Sequence, residues 1–157
     1  MFSTYIYIDR AVPDRGLVSA FALAFGVESD QVAVVDEDDY DALGDAWANS
    51  RIQVVLRRSA LPGDFPLSLL LGARSDRPED FLAVVRIVSR ELGAPILTDE
   101  IVAQFDDDYL LVAPSGATAI VTERLDDLDS DEAAIILVPE SRALYESLVH
   151  RPLVATG

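Results

Sequence analysis

The clearest ordering of apolar and polar positions lies in residues 75–95, SDRPEDFLAVVRIVSRELGAP. Phe81, Leu82, Val84, Val85, Ile87, Val88 and Leu92 are apolar there, and Glu79, Arg86 and Arg90 occupy the narrow stripe left over, which predicts a helix laid on a sheet. Asp76 is placed to accept from the free first-turn amides, with Glu79 three residues on completing a capping box and Pro78 where its missing N–H costs nothing. Gly93 and Pro95 stop the helix. A second helix is predicted over residues 14–25, where Leu17, Phe21 and Ala24 recur at helical spacing after Pro13 and Gly26 closes the run.

Strand patterns fill most of the remainder. Residues 4–9 (TYIYID) are β-branched and aromatic, and residues 32–35 (VAVV) form a continuous apolar run of the kind covered on both faces. Residues 52–58 and 66–74 predict an antiparallel pair around Leu61-Pro62-Gly63-Asp64. A short extended piece at 95–98 precedes a hairpin, residues 109–114 and 117–125 around Ser115-Gly116, and residues 135–138 (IILV) make a last strand. Between the second and third strands, DEDDYDALGDAW (36–47) reads as an acidic loop feeding a short helix through Tyr40, Leu43 and Trp47, weakened by Gly44. Carboxylates at a helix N-terminus are favoured by capping and by the macrodipole. Residues 141–149 predict a closing helix and residues 150–157 a frayed end. Without a repeat, a linker or a low-complexity stretch, residues 1–157 are expected to form a single α+β domain. Its sheet is expected to be largely antiparallel, of seven or eight strands, with helices packed mainly on one face.

Composition narrows the function classes. The chain has 157 residues, half of them hydrophobic, and no cysteine, so it can bury a sizeable core and has no disulfide, thiolate zinc site or thiol nucleophile. The apolar start carries Asp9 and no basic n-region, and no apolar run approaches the ~20 residues that span a bilayer. A soluble, cytoplasmic protein is expected. Acidic residues outnumber basic ones 28 to 12, every basic residue is an arginine, and the net charge is −16. Such a surface repels nucleic acid and anionic membranes and favours capture of a basic protein. A GC-rich genome or a salt-adapted host would produce the same bias without a partner.

Candidate chemistry is sparse, and no catalytic residue, metal ligand or cofactor site is assigned. The one histidine, His150, sits near the end of the chain with no triad partner at a suitable spacing, and no glycine pattern fits a phosphate loop. Asp127, Asp129 and Asp131 begin like a calcium loop, but Glu132 and Val138 stand where that loop needs Gly and Glu; the run from Asp36 fails in the same way. Arg57 and Arg58 point to opposite faces of one strand, so at most one of them can join Arg74 at an anion site, and pairing with aspartates competes with that role.

ELGAPILTDE (91–100) leading into DDDYLLVAPSG (106–116), in a small acidic cysteine-free domain, resembles the immunity proteins of bacterial polymorphic-toxin systems. The resemblance implies a non-enzymatic inhibitor that covers the basic surface of a cognate toxin, such as a nuclease. Charge nominates Asp36, Glu37, Asp38, Asp39 and Asp41 as partner-binding residues, with Asp106, Asp107 and Asp108 as a second patch. Tyr40 and Trp47 are candidate aromatic anchors, Trp47 being equally suited to the core. The alternative is a small carboxylate-based enzyme or ligand-binding domain, with or without a divalent cation.

Overall fold

The first strand, β1 (Phe2–Ile8), becomes the middle of a seven-stranded sheet. The computed structural model describes residues 1–99, 108–123 and 134–149. After β1 come β2 (Val32–Asp36), β3 (Val54–Ala60), β4 (Leu67–Ala73), β5 (Ile96–Thr98), β6 (Asp108–Val112) and β7 (Thr118–Thr122), arranged in space as β2-β3-β4-β1-β5-β6-β7. Ile6 lies opposite Leu69 on one side and Thr98 on the other. Neighbours are antiparallel except β2 and β3, whose connection holds a helix, α2 (Tyr40–Ala48), and so returns the chain in the same direction. The antiparallel β3–β4 pair and the β6–β7 hairpin form as the sequence predicts, with Gly116 at φ 90° in the hairpin turn.

Side chains alternate between two very different faces. Ile6, Ile8, Leu56, Leu69, Leu71 and Ile96 point to the first, where α1 (Asp14–Phe25) and α3 (Phe81–Leu92) lie side by side and bury Leu17, Phe21, Val85 and Val88. Each of these helices stops on a left-handed glycine, Gly26 at φ 66° and Gly93 at φ 60°. The start of α3 corrects the sequence expectation. Asp80, not Asp76, is the cap, accepting from the Ala83 amide at 3.0 Å, so Pro78 and Glu79 precede the helix. Phe81 is the first residue with a sheet beneath it and meets the Phe2 ring edge-on at 5.5 Å, whereas the Asp76 side chain is in solvent. Packing decides the first turn of a marginal helix.

The second face carries α2 over β2 and β3 at one end, with Val35, Ile52 and Val55 beneath it. At the other end α4 (Pro139–Val149) covers Leu97, Tyr109, Leu111 and Val121. Two helices therefore share the aliphatic face, and the other two stand at opposite ends of the second face. Residues 135–138 make two single bridges in place of a strand, Ile135 to Gly63 and Leu137 to Glu123, because the segment is divided between the β3–β4 loop and the free edge of β7. Gly63, at φ 106°, is required there: a Cβ would lie 2.5 Å from the Ile135 carbonyl oxygen. The expected acidic connector at 126–132 and the terminal segment with His150 lie outside the described residues.

Candidate functional site

The acidic corner is set by the parallel pairing of β2 and β3. Register places Asp36 beside Arg58, whose guanidinium binds the Asp36 carboxylate at 2.7 Å and also that of Asp14 at the start of α1. The chain then turns sharply, the Glu37 amide donating to the Arg58 carbonyl at 2.9 Å and the Asp39 amide to the Asp36 carbonyl at 3.1 Å. Asp39 caps α2 through the Ala42 amide at 3.0 Å, and Asp41 sits in its first turn, where the helix dipole favours a negative charge. Two of the five carboxylates thus hold the corner in shape. Asp36, Glu37, Asp38 and Asp39 with Arg58 line an open depression of about 620 Å³. It adjoins a more apolar hollow of about 270 Å³ edged by Val12, Pro66 and Leu67.

The two candidate anchors behave differently. Tyr40, 72% exposed, lies over the Arg57 guanidinium at 5.9 Å, and Arg57 in turn donates to the Glu37 carbonyl at 3.1 Å. Trp47 is half-buried and packs on the sheet where Gly72 leaves room; a Cβ there would approach its ring to 3.0 Å. Arg74 stacks on that indole at 5.2 Å and donates to the carbonyls of Ile52 and Trp47, each at 2.6 Å, closing the C-terminal end of α2. Trp47 therefore fixes the helix to the sheet. Arg57, Arg58 and Arg74 go to three separate partners and make no common anion site.

Asp108 opens β6 and accepts from the Thr122 hydroxyl at 2.8 Å, near the far edge of the sheet from β2, so it does not join the Asp36–Asp41 corner. Asp106 and Asp107 lie outside the described residues.

Buried polar links escaped the sequence reading. Asp64, 4% exposed, accepts from Arg142 at 2.8 Å and from the Leu137 amide at 3.0 Å, and Asp9 accepts from the Tyr145 hydroxyl and from Arg10. Both carboxylates tie α4 to the sheet. Tyr7 and Tyr109 meet edge-on at 5.8 Å. Burial, with Asp99 and Glu123 nearby, pushes the Tyr7 hydroxyl up to about 12; burial and Glu123, which accepts from Tyr109 at 3.1 Å, raise Tyr109 as well. Both hydroxyls are protonated at neutral pH.

Among the described residues no group of three or more His, Cys, Asp or Glu side chains is arranged to hold a metal ion, and no helix is long and apolar enough to cross a membrane. In comparisons with known proteins no family model matches the chain, and neither a curated protein nor a solved structure is significantly similar to it.

Proposed function

We propose that the protein is a non-enzymatic acidic binding protein, an immunity-type inhibitor that captures a basic bacterial toxin, such as a nuclease, through the β2–α2 corner. The observation that supports this reading is the open depression formed by Asp36, Glu37, Asp38 and Asp39, with the exposed ring of Tyr40 beside it. Arg58 and the cap of α2 hold the Asp36 and Asp39 carboxylates, so a partner meets a corner whose backbone shape is already set. Ordered charge of one sign speeds encounter with an oppositely charged surface and excludes like-charged competitors.

The test separates charge from fold. Among the described residues the carboxylates of Glu37, Asp38 and Asp41 make no hydrogen bond or ion pair, and the three can be changed to lysine together, leaving Asp36 and Asp39 to hold the corner. Association with the basic protein recovered from native lysate at low salt is expected to slow about tenfold or more and to lose most of its salt dependence. Unchanged association kinetics would sink the assignment.

A further inference from the structure

All five tyrosines of the chain lie on the second face of the sheet, while the first is lined by aliphatic residues and phenylalanine. On β1 the alternation is direct: Ile6 and Ile8 enter the aliphatic core, and Tyr5 and Tyr7 point the other way. Among the described residues no element covers this face between α2 and α4, and the strand register lays Arg57, Leu70 and Tyr5 in one row across β3, β4 and β1. Tyr5 is 45% exposed and stacks on Tyr7 at 6.2 Å; Tyr40 stands at the opposite end of the row, over Arg57. Glu37, from the acidic run, and Tyr5, from the central strand, border the same small gap of about 10 Å³ beside Arg57. The acidic corner and the tyrosine floor are one continuous surface.

We propose that this floor docks an extended, arginine-bearing segment of the basic partner, with a guanidinium lying on the ring of Tyr5 or Tyr40 within reach of Glu37. Charge complementarity selects a cationic segment: the chain carries −16, and the acidic run borders the floor. Arginine fits better than lysine because a planar guanidinium stacks on a ring while pairing with a carboxylate. Both cation–ring contacts among the described residues, Arg57 on Tyr40 and Arg74 on Trp47, are of this kind and on this face. The open width across two strands is roughly 10 Å, suited to one extended chain. Tyrosine supplies broad contact area at little cost in rotamer freedom, as in other protein-binding surfaces. The inference rests on the proposed function only in taking the partner to be basic.

The probe is the capped peptide Gly-Arg-Gly-Arg-Gly-Arg-Gly with its lysine counterpart, titrated at low salt into protein carrying ¹³C-labelled tyrosine rings and ¹⁵N-labelled backbone amides. The ring signals of Tyr5 and Tyr40 are expected to shift saturably with the arginine peptide while the fully buried Tyr145 stays fixed. Tyr40→Ser, at an exposed position, and Tyr5→Ser should each weaken binding at least fivefold, and the lysine peptide should bind at least threefold more weakly. Still ring signals, or full affinity in both serine variants, overturn the proposal; equal binding of the lysine peptide overturns the choice of arginine. Shifts confined to the backbone amides of residues 36–41 overturn the floor and leave the acidic corner standing. Tyrosine shifts that survive Asp38→Lys with Asp41→Lys at full affinity support the floor and overturn the corner.

Discussion

The two faces of the sheet are built by different physics. On the first, α1 and α3 are held by close-packed Leu17, Phe21, Phe81, Val85 and Val88 against the aliphatic side chains of β1, β3, β4 and β5, an attraction without direction. Its one fully buried polar side chain on a helix, Ser89, spends its hydroxyl on the carbonyls of Ala94 and Val112. On the second, smaller apolar clusters under α2 and α4 are joined by directional links: Arg74 at the end of α2, and Asp64, Asp9 and Ser141 under α4. The aliphatic face buries the largest apolar cluster. The polar face sets where two separate helices stand, and by keeping them apart it leaves a floor in reach of solvent.

Substitutions should divide along the same line. Phe21→Ala empties a fully buried ring site in the aliphatic face and is expected to cost about 4 kcal/mol, read as one cooperative shift of the denaturation midpoint by every probe. Asp64→Ala leaves Arg142 without its carboxylate and is expected to cost about 3 kcal/mol. Hydrogen exchange should then accelerate first in α4, with α1 and α3 keeping their protection; uniform acceleration would erase the distinction between the faces. Gly72→Ala presses a methyl group against the Trp47 ring and should cost about 1–2 kcal/mol, with a change in the emission of the single tryptophan.

The smallest effect expected is in alkali. Tyr7 and Tyr109 keep their protons in the folded chain to higher pH than in the unfolded one, so their contribution is whole below about 10, where a free tyrosine titrates, and the Tyr7 part is lost as pH rises through about 12. Tyr7→Phe should therefore flatten the fall in melting temperature above pH 10 and leave the neutral-pH slope unchanged. A slope identical to that of the unmodified chain would show that this tyrosine cluster is not dry.

Local chemistry made the elements legible and left their assembly hidden. Helical spacing and a following glycine located α1 to the residue, and Ser115-Gly116 located the hairpin. The acidic run was correctly read as feeding and capping a helix, since Asp39 needs only a neighbour three residues away. The cap of α3 was misplaced because Asp76 and Asp80 offer the same chemistry, and only the sheet under Phe81 chooses between them. Asp64 looked like a turn residue because its partners, Leu137 and Arg142, come from the opposite end of the chain. For the same reason TYIYID reads as a strand without showing that its tyrosine side runs into Glu37.

The central position of β1 also bears on how the molecule comes into being. β1 is flanked by β4 and β5, both later in the chain, so Ile6 needs Leu69 and then Thr98 before both of its edges are closed. By contrast, β2, α2, β3 and β4 are consecutive and can zip together with short loops. That block is expected to form first and to serve as the template onto which β1 docks. Closing the long loop around β1 is therefore the step expected to limit the folding rate, and a chain ending before Thr98 would carry an unpaired apolar strand edge open to a second copy of itself.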